Sequence, residues 1–339
     1  MNIYGITQAA LERYFADIGE NPFKAGLIYD GIYKKGIEDF AEFGFADRVT
    51  ARLKADLEFE FPEVVETLDS EDSAKLLLRL KDGEYAETVL MRQKFGNVLC
   101  VSTQVGCNMG CVFCQSGRMK KRRSLLAGEI VGQVMAVRRE LGADIGGVSV
   151  MGIGEPFDNF EEVRNFCGIV SADKGLAVGR RHITVSTCGI VPRIYEYAEL
   201  PSSYNLAISL HAPNDELRSR IMPINKAYPL KEVLTAAEYF SERTGRRVTL
   251  EYVMLGGVND LPEHAKQLAR LIGSRSFYVN IIPYNPTDNG FRKSSNEEIE
   301  LFRGVLRKNG IVATRRREFG TGLKAACGQL RADYERDGL

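Results

Sequence analysis

The sequence predicts an α/β protein in which a small N-terminal helical domain precedes a partial barrel of six parallel β/α units. Three observations lead there. From residue 96 onward a short β-branched run, a polar or glycine-containing loop and a helical stretch recur in that order. The runs are NVLCVST, GGVSVMG, HITVST, YNLAISL, RVTLEYVML and FYVNIIP. Strands that alternate with helices pair in parallel, because the crossover helix returns the chain to start again in the same direction. Ahead of them, Ala25, Ile28, Tyr29, Ile32 and Tyr33 recur at the spacing of one helix face. Finally, 339 residues with 44% hydrophobic and 27% charged side chains supply enough apolar material for one large domain and a smaller accessory one.

The elements follow in chain order. Residues 1–60 are expected to form the helical module, with Asn21-Pro22 supplying an N-cap and first-turn proline for the helix that carries Tyr29. Residues 61–95 read as a β-hairpin connector, because AKLLLRLKDGEYAETVLMRQ alternates on both sides of the turn Asp82-Gly83. Residues 96–330 hold the six units. In a β/α barrel the carboxyl ends of the strands build the active site. Here those ends carry the run Cys107–Cys114, Gly152-Ile153-Gly154-Glu155-Pro156, Ser186-Thr187-Cys188-Gly189, Ser209-Leu210-His211 and Tyr284-Asn285-Pro286. Five loops are thus expected to meet at one mouth.

Composition excludes several classes. No stretch approaches the roughly 20 apolar residues that span a bilayer, and the start has no basic segment followed by an apolar run. A cytoplasmic protein with no membrane contact is expected. Seven cysteines, irregularly placed, do not resemble the framework of a disulfide-rich secreted domain, so reduced thiols are expected. A net charge of zero argues against indiscriminate coating of nucleic acid, while leaving local patches at Lys120–Arg123, Arg180-Arg181, Arg246-Arg247 and Arg315–Arg317.

The stretch GCNMGCVFC carries the chemistry. Cys107, Cys111 and Cys114 have the spacing C-x3-C-x2-C, and Gly106 and Gly110 permit a tight loop that turns the sulfurs inward. Structural zinc wants four protein ligands, and no fourth Cys or His lies at a usual offset. A 4Fe-4S cluster held by three cysteines leaves one iron open to bind a substrate or cofactor. A cluster is the stronger reading, with zinc or chance spacing as its rivals.

The chain resembles the RlmN/Cfr family of radical S-adenosylmethionine (SAM) RNA adenine methyltransferases in QVGCNMGCVFC, MGIGEP, ISLHAPNDELRS, MPIN, EYVMLGGVND, PYNP and KAACGQL. The likeness extends from the N-terminus to about residue 330. It lies closer to the RlmN branch, because Pro156 stands in GEP where the Cfr branch usually has alanine. The resemblance implies a radical SAM partial (β/α)6 barrel with a 4Fe-4S cluster on Cys107, Cys111 and Cys114. It further implies a SAM pocket lined by Gly154, Glu155, Ser186, Ser209, Leu210, His211 and Asn285. For His211 a purely structural hydrogen bond is an equal alternative.

By the same resemblance, Cys327 takes a methyl group from one SAM, and a second SAM in the same turnover activates that group to add to the adenine ring. Cys100 then releases the product through a transient disulfide with Cys327, and Glu87 takes the ring proton. Read alone, Cys100 could be core and Glu87 an exposed strand carboxylate; Cys167 and Cys188 have no such role and read as structural. The implied activity is methylation of carbon 2 of an adenosine in 23S ribosomal RNA, and in tRNA. Electrons would come from a donor such as flavodoxin or ferredoxin, and the protein would act as a monomer.

Lys120–Arg123 and Arg315–Arg317 flank the expected mouth, where they would grip phosphates. Carbon 8 methylation with antibiotic resistance, the same chemistry on another RNA or adenine compound, and a metal-binding ribosome or RNA adaptor are the alternatives. The chain departs from the family pattern at Gln115-Ser116, at Phe157-Asp158-Asn159 and at Gly320–Lys324, all expected near the substrate.

Overall fold

The computed structural model describes residues 1–201, 203–286 and 289–319. Three short helices open the chain: α1 (Gln8–Asp17), α2 (Phe23–Asp30) and α3 (Asp47–Asp56). The Thr7 side chain caps α1 by accepting from Ala10 N–H, and Asn21 Oδ1 accepts from Phe23 N–H at 2.9 Å to start α2. The α2 face is apolar at the expected positions, and Ala25, Ile28, Tyr29, Ile32 and Tyr33 are all buried. Its last two members lie on a π-helical turn, Gly31–Lys35, that prolongs α2.

Four antiparallel strands follow: β1 (Glu63–Asp69), β2 (Ser73–Arg79), β3 (Tyr85–Gln93) and β4 (Gly96–Cys100). A small hairpin, β5 (Gln104–Val105) with β6 (Arg123–Ser124), closes the neck of the loop that carries the three cysteines. That loop holds the one-turn helix α4 (Gln115–Arg118). Then come α5 (Ala127–Leu141), β7 (Ile145–Val150), α6 (Phe160–Val170), β8 (Ile183–Thr187), α7 (Val191–Ala198), β9 (Asn205–Ser209), α8 (Asp215–Ile221) and α9 (Leu230–Thr244). The described chain finishes with β10 (Val248–Gly256), α10 (Pro262–Ile272), β11 (Phe277–Pro283), the short β12 (Arg292–Lys293), α11 (Asn296–Lys308) and β13 (Ala313–Arg315).

One sheet runs in the order β1-β2-β3-β4-β7-β8-β9-β10-β11-β13, with β12 paired to β10. All pairs from β4 to β13 along this path are parallel, so the six β-branched runs form a partial α/β barrel in sequence order. Its strands are buried on both faces, as in β10, where eight of nine residues are inaccessible. The structure adds what periodicity did not show. β13 is a seventh parallel strand, and the 61–95 hairpin is continuous with the barrel sheet through β4.

One apolar core joins the module to the barrel, running from Leu11 and Tyr29 through Ile130 and Val185 to Phe302. The contact is close at Gly5, where a Cβ would stand 3.0 Å from Gly128 N on α5. No helix among the described residues is long and apolar enough to cross a membrane.

Candidate active site

The cysteine loop is shaped by its backbone. Gly106 has φ +81°, and a Cβ there would fall 2.4 Å from Lys120 O. Only glycine lets the two sides of the neck approach in this way. Beyond it Cys107 N–H donates to Met119 O at 2.9 Å and Val112 N–H to Ile221 O at 3.1 Å, which ties the loop to α8. Cys107, Cys111 and Cys114 all border a single cavity of ≈ 290 Å³ that Gly154, Glu155, Ser186, Ser209 and His211 also line. Burial pushes the Cys107 thiol up to about 12 and raises Cys111 further, with Cys114 also opposing the ionisation of both. Such a set holds thiolates only around a cation. Among the described residues no three Cys, His, Asp or Glu side chains converge on a single ion. Thiols spaced around a cavity suit a 4Fe-4S cluster, in which each cysteine takes a different iron, and do not suit tetrahedral zinc.

The second wall is the loop after β7. Gly154 has φ +112°, and a Cβ there would lie 2.7 Å from Gln104 Cβ and Thr103 Oγ1. Glu155 is buried, and burial raises its carboxyl above the usual range. The N–H groups of Phe157 (2.9 Å) and Cys188 (2.8 Å), one to each oxygen, pull the other way. Gln104 couples this loop to the cysteine loop: its Oε1 accepts from Glu155 N–H at 3.0 Å and its Nε2 donates to Asp158 at 2.9 Å. Phe157-Asp158-Asn159 therefore does structural duty. Phe157 packs against Phe160 and Tyr197, Asp158 pairs with Lys121 at 2.7 Å, and Asn159 Nδ2 donates to the carbonyls of Thr103 and Leu125.

Ser186 and Ser209 face each other at 3.5 Å on neighbouring strand ends. His211 has φ +58°, and its Nδ1 accepts from Val253 N–H at 3.0 Å while its ring stands edge-on to Phe113. Burial drives its imidazole down to about 3, so the ring is neutral. Leu210 turns into the apolar core and Asn285 is exposed past the end of β11; neither borders the cavity.

Two residues that the sequence reading passed over hold these loops. Arg218 is fully buried on α8, and its guanidinium donates to the carbonyls of Cys188 (2.6 Å), Ser209 (3.1 Å) and Leu210 (3.1 Å) and to Asn225 Oδ1 (2.9 Å). Asn259 donates to the His211 (2.9 Å) and Val253 (2.7 Å) carbonyls and accepts from Leu255 N–H (2.7 Å). Both lie inside quoted motifs, ISLHAPNDELRS and EYVMLGGVND, where the hydrophilic residues amid apolar ones were the available signal.

The thiol and the carboxylate lie on one face of the neighbouring strands. Lys75, Val89, Cys100 and Ser149 are register partners across β2, β3, β4 and β7, so they share one face of the sheet. Glu87, two residues from Val89, shares that face and is buried against Lys75, with Nζ 3.6 Å from Oε2. Ser102 Oγ donates to the Glu87 carbonyl at 2.6 Å and accepts from Ile153 N–H at 3.0 Å, linking β3 to the Gly154 loop. Burial raises the Cys100 thiol; Arg316, Ser149 and Lys75 oppose that shift. Cys100, Cys167 and Cys188 are free thiols, Cys188 bordering the cavity and Cys167 lying in the core. Cys327 and Gly320–Lys324 lie outside the described residues.

The basic tracts also separate. Within Lys120–Arg123, Lys121 pairs with Asp158, Arg122 with Glu84 at 2.9 Å, and Arg123 with Asp82 (2.6 Å) and Glu129 (2.7 Å). Three of its four side chains thus tie this loop to the rest of the protein, and Lys120 is exposed.

A profile of the radical SAM superfamily matches residues 101–272, and one described as the ribosomal RNA large subunit methyltransferase N-terminal domain matches residues 1–58. A probable dual-specificity RNA methyltransferase RlmN from Enterococcus faecalis is 47% identical over 98% of this chain and 96% of its own length. The chain belongs to the RlmN family of radical SAM methyltransferases. A second RlmN, from Thermoanaerobacter sp., is 45% identical over 98% of both chains. The crystal structure of a radical SAM methyltransferase from Sphaerobacter thermophilus superposes with a TM-score of 0.90 at 40% identity, covering 97% of this chain and 98% of that one. As a radical SAM protein, this RlmN-family chain takes SAM and a 4Fe-4S cluster, and the cavity bordered by three cysteines fits both.

Proposed function

We propose that this protein methylates carbon 2 of an adenosine in 23S ribosomal RNA, and of an adenosine in tRNA, through a methyl group carried on Cys327. The observation that supports the reading best is that Cys100 and Glu87 share one buried face of the sheet, with Ser149, the register partner of Cys100, on the strand that leads to the Gly154 loop. A radical SAM cavity alone does not select methyl transfer to an aromatic carbon, whereas a reactive thiol and a base beside it serve that chemistry. Full-length likeness to proteins named dual-specificity RNA methyltransferase RlmN supports the substrate.

Cys107, Cys111 and Cys114 would hold the cluster; Gly154, Glu155, Ser186, Ser209 and His211 would hold SAM, with Leu210 and Asn285 set back from the cavity and supporting its wall. When bound, these groups supply a methyl group and a carbon radical, consuming two SAM per turnover. The chain's own residues do the rest. Cys327 carries the methyl carbon, and Cys100 forms a sulfur–sulfur bond to Cys327 that frees the methylated base. Glu87, buried beside Lys75, takes the ring proton. The electron donor is a small redox protein such as flavodoxin or ferredoxin, and the enzyme works as a cytoplasmic monomer.

Anaerobic turnover with methyl-labelled SAM, protein-free ribosomal RNA and tRNA tests this. Methyladenosine at carbon 2, absent with Cys327→Ala and Cys100→Ala, is the expected result. Methylation at carbon 8, or 5′-deoxyadenosine without methylated RNA, would overturn it.

A further inference from the structure

The end of the barrel opposite the cysteine loop is open and basic. A second cavity, ≈ 1110 Å³ among the described residues, enters the lumen from the amino ends of the strands. Six Lys and Arg side chains border it (Lys94, Arg181, Arg246, Arg247, Arg316 and Arg317) against one acid, Glu251. Glu251 is buried and already accepts from Asn280 Nδ2 at 2.9 Å. Arg317 reaches Asp72 at 3.8 Å, but the other five cations make no ion pair among the described residues. Arg246 donates to Asn205 at 2.9 Å, and Arg247 lies 5.9 Å from the Tyr278 ring centroid. Burial and the like charges of Arg181 and Arg180 pull the Arg246 guanidinium below its ordinary range, with Tyr197 opposing. At the rim, Phe95 occupies the tip of the β3–β4 hairpin and is 99% exposed. A fully exposed phenylalanine contributes nothing to the fold that surrounds it.

This cavity leads to the chemistry. Met151, Glu251 and Arg316 border both it and the cavity of the cysteines. Ser149 and Thr184, in the same register row as Cys100, line it too. From Asn97 at the mouth to Cys100 is three residues of strand, about 10 Å, within the reach of an extruded nucleotide.

We propose that the RNA docks on this end of the barrel. Lys94, Arg181, Arg246 and Arg247 hold phosphates, Phe95 stacks on a base beside the target, and the target base enters the lumen from the strand amino ends. This rests on the RNA-methyltransferase reading above, and it places the RNA away from Lys120–Arg123. Cations without an ion pair among the described residues supply a salt-dependent term, and an exposed aromatic supplies a salt-independent one.

The test is the affinity of the full-length protein for a fluorescent RNA hairpin containing the target adenosine, titrated against KCl, with no turnover required. For Arg181→Gln/Arg246→Gln/Arg247→Gln the salt slope should fall by roughly 2 to 3 and the affinity at low salt by at least about tenfold. For Phe95→Ala the affinity should fall roughly tenfold with the slope unchanged, and its exposure removes loss of folding as an explanation. Lys120→Gln, an exposed cation on the cysteine face, should change the affinity less than about twofold. Wild-type affinity in both the triple variant and Phe95→Ala, or a larger effect at Lys120, would overturn the docking site while leaving the function standing. If wild-type protein itself shows no affinity for RNA, the function and the docking site fall together.

Discussion

Arg218 places its guanidinium where three strand-end carbonyls converge, and its positive charge is tolerated only because every donor direction finds an acceptor. Arg218→Met would strand those carbonyls in the interior, at a cost of about 3 kcal/mol or more seen as a lower urea midpoint. Arg218→Lys should recover little, since the donors of one nitrogen cannot span acceptors that the guanidinium reaches from three. His211 gives a pH signature. Its folded-state pKa, about 3, lies below the ordinary 6.5, so the unfolded chain takes up the proton first. The stability it contributes is complete above about pH 6.5 and drains away as the pH falls towards 3. Relative to His211→Gln, wild-type protein should lose about 1 kcal/mol between pH 6.5 and 5.5, measured by urea denaturation at each pH. At Glu87 the question is catalytic. Glu87→Gln removes the base and keeps the side chain's shape, so RNA methylation should fall at least about a hundredfold while cleavage of SAM to 5′-deoxyadenosine persists. Methylation at the wild-type rate would remove Glu87 from the role of base.

Among the elements, the two glycine-bearing loops separate cluster binding from SAM binding. Gly106 lets the neck between β5 and β6 close, and a methyl group there collides with Lys120 O. Gly106→Ala should therefore lower the iron and sulfide content of reconstituted protein. Gly154 meets the neck only from outside, at Thr103 and Gln104. Gly154→Ala strains the Glu155 loop against Gln104 and Thr103, so SAM affinity should fall by at least about tenfold with iron content unchanged. Loss of iron in both variants would show instead that the loops act as one unit through Gln104.

For the whole molecule, the continuous core makes the N-terminal module a structural partner of α5. Arg138 donates to Tyr33 O at 2.7 Å, and Asn2 and Gly5 press on Gly128. Deletion of residues 1–58 should uncover that face, giving protein that binds hydrophobic dye and unfolds at lower urea. In the intact chain, secondary structure and tyrosine signals should be lost in one coincident transition. Two separate transitions would mean that the module and the barrel are energetically independent.

The six β-branched runs, the α2 face, the Asp82-Gly83 turn and the cysteine spacing were legible because each depends on residues adjacent in the chain, where period and turn chemistry act. The family signatures made the cofactors legible for the same reason. β13 was not legible, since three residues hold no period and the strand exists only because β11 offers an edge. Nor could the sequence show which basic tract is neutralised. Lys121, Arg122 and Arg123 find acids at positions 158, 84, 82 and 129, whereas Arg181, Arg246 and Arg247 meet around an open cavity and make no ion pair among the described residues. Charge is written locally, but its compensation depends on what folding brings within a few ångströms, and that belongs to the tertiary structure.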